Sequence, residues 1–335
     1  MHFQLQMNEP RIAIVSLGGT ISMAKKVDAG VVPNLDAESL VSSLPELKEI
    51  AEIKTVAFRM VASSGLNLGD LLALREKIDN LLQEEVDAVV VTQGTDTIEE
   101  TSFLLNLTVR SDKPVVVTGA MRDPTTPGSD GQANLLAAVR VAASGLTCSL
   151  GTVVVMNDDI HHSRYVKKTH TSNPAAFSSF PLGPIGWISE DRVRIALKPA
   201  TERLRITVDP GSPEKEVLLF TALLGDSGKL IRHVADLGYD GIVLEAMGAG
   251  HIYPSIVDTL EKLASTMPVV LASRTRNGEI LSKTYSFRGS ESDLLRRGLI
   301  SARSLNPLKA RILLYLLLRA GKTKEEIRNV FENWV

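Results

Sequence analysis

At 335 residues the chain is too long for most single cores, so about two domains are expected. Its 37 basic and 39 acidic residues leave a net charge of −2, which removes the basic surplus that nucleic acid or an anionic lipid surface would need. With 44% hydrophobic and 23% charged residues, the composition is that of a soluble globular protein. The single cysteine, Cys148, excludes an intramolecular disulfide and, between Thr147 and Ser149, reads as a small core residue.

The opening MHFQLQMNEPR has no basic stretch followed by an apolar run, so no secretory signal is expected. No stretch reaches the ~18 apolar residues of a membrane span, and a cytoplasmic location follows as the expectation. RIAIVSL (11–17) predicts a buried strand that runs directly into SLGGTISM (16–23). The paired glycines permit a tight turn and present Thr20 at the strand's end. Neither G-x-G-x-x-G spacing nor a Gly-Lys-Ser/Thr follows, so the dinucleotide fingerprint and the P-loop are both absent. LGDLLALREKIDNLL (68–82) carries helical spacing, and DAVVVTQ (87–93) is a second buried strand.

That strand ends in GTDTIEE, with Thr95, Asp96 and Thr97 in a row. Thr97 with Glu100 has the T-x-x-E form of a capping box opening the helix IEETSFLLNL. Thr95 and Asp96 invite chemistry, because the carboxyl ends of strands in open α/β sheets are where ligands sit. On these residues alone, capping is the commoner explanation of such a cluster. KPVVVTG (113–119) and GTVVVMN (151–157) repeat the strand style, and GQANLLAAVRVAA (131–143) is helical. DDIHHSR sets His161 and His162 beside Asp158 and Asp159; adjacent histidines do not share a helix face as i, i+4 pairs do, so no metal is expected.

The alternation breaks in ATERLRITVDPGSPEKEVLLF (200–220), which predicts a linker over 201–214 between domains of residues 9–200 and 215–335. EVLLF, GIVLEAM and PVVLAS then read as strands, with YPSIVDTLEKLAS as a helix between the last two. The tail predicts two helices, the first stopped at Gly321 and the second opened by a Thr323–Glu326 capping box. Apolar strands alternating with helices argue an α/β fold. Its larger amino-terminal domain has a mostly parallel sheet covered on both faces, and a smaller α/β domain follows.

A hydroxyl is a poor nucleophile until a neighbouring base or cation manages its proton and donors face the developing oxyanion. Thr20 is the candidate nucleophile, with Thr95, Asp96 and a lysine from elsewhere as the activating group. Lysine suits because desolvation and nearby positive charge lower its pKa. No G-x-S-x-G elbow appears, which disfavours a serine-histidine-carboxylate triad.

IVSLGGTISM, VVVTQGTDTIEETSFLL and KPVVVTGAMRDPTTPGSDGQANLLAA together resemble the bacterial-type L-asparaginase/glutaminase family of amidohydrolases. The resemblance is clearest over residues 11–180 and looser beyond. It implies the two-domain asparaginase-like fold, no cofactor, a small-molecule amide substrate, no nucleic-acid or membrane partner, and assembly as a homodimer or homotetramer. It implies catalytic roles for Thr20 in the glycine-glycine-threonine turn and for Thr95 and Asp96 in T-Q-G-T-D. In YVKKTHT (165–171) Lys168 takes the place of the family's lysine, although the charge run alone would read as a solvated face. Substrate contacts are implied for Ser63 in MVASSGLN, with the adjacent Ser64, for Gly94, and for the backbone at Ala120 in TGAMR. Outside that context Ser63 would be a turn residue.

Two departures bear on substrate. A family tyrosine on the loop after the first threonine is matched by Val31 in GVVP, and an asparagine in the family's G-N-G segment is matched by Ala249. GEILSKTYSFRGSE (278–291) offers no match for an acidic group that family members draw from a neighbouring subunit. Missing partners for a buried polar substrate group cost about 1–3 kcal/mol, which leaves the chemistry better defined than the amide. Two further functions compete. A tRNA-dependent amidotransferase subunit has an extra amino-terminal domain that the roughly ten residues before the first strand do not provide. A non-catalytic amino-acid sensor would be expected to lose the set Thr20, Thr95, Asp96 and Lys168, all present here.

Overall fold

The computed structural model describes residues 9–19, 21, 23–26, 30–33, 37–200 and 202–335. The chain separates into two compact units, Met1–Arg205 and Ile206–Val335. The first begins with β1 (Arg11–Ser16), a hairpin of β2 (Met23–Lys26) and β3 (Gly30–Pro33), α1 (Ala37–Ser42), β4 (Glu52–Ala57) and α2 (Leu68–Glu84). It continues through β5 (Ala88–Thr92), α3 (Ile98–Thr108), β6 (Val115–Thr118), α4 (Gly131–Ala143) and β7 (Thr152–Met156). β8 (Asp159–His162), the two-residue strands β9 (Lys167–Lys168) and β10 (Phe177–Ser178), β11 (Gly186–Ser189) and β12 (Arg192–Ile195) complete it.

Eight of these strands form one sheet in the order β12-β11-β8-β7-β6-β5-β1-β4. The five from β7 to β4 are parallel, and β8, β11 and β12 continue the sheet antiparallel. The valine-rich runs are central because both of their faces are covered. Ile12, Ile14, Val90, Val116 and Val153 pack with α4, while Ala13, Val15, Val89, Val91 and Val117 pack with α2 and α3. β1 has β4 on one side and β5 on the other, so the strand order reverses there. The carboxyl ends of β1 and β5 flank the crevice that such a reversal opens. The antiparallel edge, the β2–β3 hairpin and β4 go beyond the elements read from the sequence.

The expectation for Cys148 is overturned: it lies exposed in the turn after α4, where the chain bends too early to bury it. Arg203 holds the carboxyl end of α3. Its Nε donates to the Asn106 carbonyl at 2.9 Å, Nη2 to Val109 at 2.7 Å and Nη1 to Ser111 at 2.9 Å. Burial first, then the charge of Arg205, brings its pKa down to about 10 against the pull of Asp112 and Asp79. Arg203→Leu leaves those carbonyls without their donor and is expected to cost about 3 kcal/mol, read as a lower urea midpoint for the first unit. A midpoint unchanged from wild type would show that water replaces the guanidinium without penalty.

In the second unit a parallel sheet of β13 (Val217–Thr221), β14 (Gly241–Ala246), β15 (Val269–Ser273) and β16 (Ile300–Ser301) lies in that order. α5 (Lys229–Arg232), α6 (Val257–Thr266) and α7 (Glu291–Arg296) connect the strands, and α8 (Pro307–Arg319) and α9 (Lys324–Asn333) close the chain. α6 packs Val257, Leu260 and Leu263 against Ile242, Leu244 and Leu271. Gly321 follows α8 with φ of 69°, the left-handed stop that glycine permits. Thr323 and Glu326 form the predicted capping box: Thr323 Oγ1 accepts from Glu326 N at 3.3 Å and Glu326 Oε2 accepts from Thr323 N at 2.8 Å.

Candidate active site

The glycine turn after β1 is shaped by close approach. Gly19 has φ of +85°, and a Cβ placed on it would fall 2.0 Å from Gly94 N. Gly94 in turn has no room, since its own Cβ would meet Ser63 Oγ at 2.7 Å. Gly119, at the end of β6, lies against the Gln93 carbonyl and the Thr95 methyl, at 2.6 and 3.2 Å from where its Cβ would stand. Side-chain-free backbone from three neighbouring strand ends therefore meets at one point, with Ser63 packed behind it. Ser63 is buried and Ser64, the next residue, is exposed. Ala120 is buried beside Gly119. Thr20 lies outside the described residues; Gly19 and Ile21, on either side of it in sequence, are both buried.

Lys168 reaches this point from β9, held in register by pairing with Phe177. Its Nζ donates to Thr95 Oγ1 at 2.8 Å and to Asp96 Oδ1 at 2.6 Å. The Lys168 side chain is 15% exposed and that of Asp96 70%, so the ammonium is shielded while its counter-charge faces water. A cleft of about 550 Å³ opens on the outer side of Lys168, lined by Asp96, Glu99, Lys168, Thr169, His170 and Thr171. Glu99, His170 and Thr171 carry no chemical signature in sequence and enter only through this wall. A hydroxyl touching a lysine nitrogen, itself touching a carboxylate, is an arrangement through which a proton can be relayed.

The Thr97 capping box does not form. Thr97 stands at the cap of α3 without a side-chain bond to the helix. A 3₁₀ turn over Thr95–Thr97 precedes α3 and turns the hydroxyl away, so that it donates to the Ser63 carbonyl at 3.3 Å and accepts from Gln93 Nε2 at 3.3 Å. The cap signature thus ties two loops of the site together. His161 and His162 do not converge: His161 Nδ1 is 2.9 Å from Ser179 Oγ, and His162 Nε2 is 3.0 Å from the Leu150 carbonyl. Among the described residues no group of three or more His, Cys, Asp or Glu is arranged to hold a metal.

In the second unit Ala249 occupies the tight turn after β14, closed by the Met247–His251 bridge. Glu291, the acidic residue at the end of the unmatched segment, is buried and 3.2 Å from His251 Nε2. Burial works to raise its pKa, but the N–H groups of Tyr285 and Thr284 that it accepts from, together with its own, hold it below the usual range. Those bonds give Glu291 a role in fixing the 284–291 turn. Val31 belongs to β3, opposite Lys25.

Models of the asparaginase amino-terminal domain and of the glutaminase/asparaginase carboxyl-terminal domain match residues 11–201 and 216–331. The chain belongs to the asparaginase family. It is 36% identical to L-asparaginase 2 of Escherichia coli K12 over 97% of this chain and 93% of that one. It is 34% identical to a probable periplasmic L-asparaginase of Haemophilus influenzae, over 97% and 93% of the two chains. The crystal structure of a probable cytoplasmic L-asparaginase from Campylobacter jejuni superposes with a TM-score of 0.87 at 34% identity, covering 96% of this chain and 99% of that one. The two-domain asparaginase fold and an asparaginase-type amidohydrolase activity follow from these likenesses. No helix among the described residues is long and apolar enough to cross a membrane.

Proposed function

We infer that this asparaginase-family amidohydrolase converts L-asparagine and water to L-aspartate and ammonia, with Thr20, Thr95, Asp96 and Lys168 as its catalytic residues. The observation that carries the assignment is the bridge of Lys168 Nζ between Thr95 Oγ1 and Asp96 Oδ1. Thr20, by family resemblance, or a water activated at Thr95 adds its oxygen to the side-chain carbonyl carbon. The carbon–nitrogen bond then breaks and the amide nitrogen leaves as ammonia; on the Thr20 route a water next cleaves the resulting ester, freeing the threonine hydroxyl and releasing L-aspartate. Lys168 passes a proton to Asp96 Oδ1 as it takes the one leaving Thr95 Oγ1, and the reverse transfer delivers a proton to the departing nitrogen. Backbone N–H groups near Thr95 face the developing oxyanion. Ser63, Ser64, Gly94 and the main chain at Ala120 are assigned to substrate contact, Ser63 having the packing against Gly94 in its favour.

A second reading is that another amide, such as D-asparagine, glutamine or an N-substituted amide, is the better substrate. Val31 and Ala249 favour it, standing where family members carry a tyrosine and an asparagine that donate hydrogen bonds. An ammonia-release screen over these amides separates the two. With Thr20→Ala and Thr95→Ala run beside wild type, each variant is expected to lose roughly 10²- to 10⁴-fold in rate on the preferred amide. If both variants keep full rate, the site assignment falls. The chain is read as a homodimer or homotetramer by resemblance, and as cytoplasmic, the compartment given for the Campylobacter jejuni protein.

A further inference from the structure

Within the third motif, SDGQAN (129–134) supplies none of the groups assigned above, yet its side chains close on the pocket backbone. Asp130 stands at the amino-terminal cap of α4 but its side chain caps none of that helix's first-turn N–H groups. An aspartate there ordinarily accepts from the helix's own first-turn N–H groups. Instead its carboxylate accepts from Met121 N at 3.0 and 3.1 Å and from Arg122 N at 2.9 Å. Asn134, one turn further and buried, donates Nδ2 to the Gly119 carbonyl at 3.0 Å and to Asp130 Oδ2 at 3.0 Å. Its Oδ1 accepts from Asn157 N at 2.9 Å, so no polar atom of Asn134 is spare. The peptide groups on both sides of Ala120 are thereby fixed by two side chains outside the pocket. Between them in sequence, Gly131 packs so closely that its Cβ would stand 3.3 Å from Ala120 Cβ and 3.1 Å from Ile21 Cγ1.

We propose that Asp130 and Asn134 are positioning residues for amide hydrolysis, holding the Gly119–Arg122 backbone so that the Ala120 main chain meets the substrate's carboxamide. This rests on the assignment of Ala120 to the pocket. Their effect is exerted on the reacting end of the substrate, since the hydrogen bonds end on residues 119–122 and not on Ser63. Removing the brace therefore lowers kcat more than it weakens binding of the amino-acid end, because small displacements of a reacting group cost rate steeply.

The test compares Asp130→Ala, Asp130→Asn and Asn134→Ala with wild type. It measures kcat and KM on the best amide of the screen, and L-aspartate affinity and stoichiometry by calorimetry. Expected is a fall in kcat of about 100-fold for the alanine variants, with stoichiometry per chain unchanged and Asp130→Asn intermediate through its remaining acceptor oxygen. Unchanged kcat, or kcat falling only in step with aspartate stoichiometry, would overturn the proposal by showing no role or a merely structural one. Should the alanine variants not fold, Asp130→Asn carries the test: a lower kcat with wild-type melting temperature and aspartate stoichiometry supports the brace, and a wild-type kcat overturns it. Wild type inactive on every amide would sink the functional reading itself, whereas active wild type with unaffected variants sinks this proposal alone.

Discussion

Lys168→Met lowers the rate of ammonia release by roughly 10²- to 10⁴-fold while L-aspartate binding survives. Methionine keeps most of the unbranched stem that packs through the β9 position and deletes only the atom bonded to Thr95 Oγ1 and Asp96 Oδ1. The variant is expected to fold. Asp96 is 70% exposed at its side chain, so losing the ammonium leaves a carboxylate that water can solvate. Thr95, 6% exposed, keeps its place in the packed strand end but has no neighbour to take its proton. Loss of rate with unchanged melting temperature and unchanged aspartate stoichiometry is the expected result. A variant within a few-fold of wild-type kcat would mean that the proton travels by another route and that the Lys168 bridge is structural.

Gly19→Ala is expected to cost about 3–5 kcal/mol, or to abolish soluble expression, although it adds one methyl group. Two penalties coincide. At φ of +85° a residue with a Cβ is strained, and the added carbon would stand 2.0 Å from Gly94 N. Gly94 has no easy retreat, because Ser63 Oγ lies 2.7 Å from the position of its own Cβ. Gly65→Ala is the matching control, with nothing within 4 Å of its Cβ position, and is expected to melt near wild type. Comparable melting temperatures for the two variants would show that the loops give way more readily than their spacing implies.

The buried strands and long helices of the first unit were legible because both carry one-dimensional patterns. Valine runs mark strands covered on two faces, and 131–143 matches α4 to the residue. β11 and β12 were not, since half-exposed antiparallel edges of four residues resemble loop sequence. Motif order pointed to Thr95, Asp96 and Lys168, but no spacing rule could have told that Lys168 Nζ touches both partners, because β9 is only two residues long. The T-x-x-E signature misled at Thr97 for a physical reason: the 3₁₀ turn before α3 offered its hydroxyl better-placed partners across the loop. Asp130 and Asn134 in SDGQAN showed no role in sequence, as hydrogen bonds reaching 8 to 15 residues back along the chain leave no periodic trace.

The lysine that completes the Thr95–Asp96 pair comes from 73 residues further along the chain, beyond β6, β7 and β8. During synthesis the glycine turn, both threonines and the aspartate are all exposed from the ribosome well before that lysine follows. Local helix formation cannot bring the two halves together; the sheet must first extend past β7. On the proposed assignment, bringing Lys168 to Thr95 and Asp96 is thus one of the later and more non-local events in the folding of this unit.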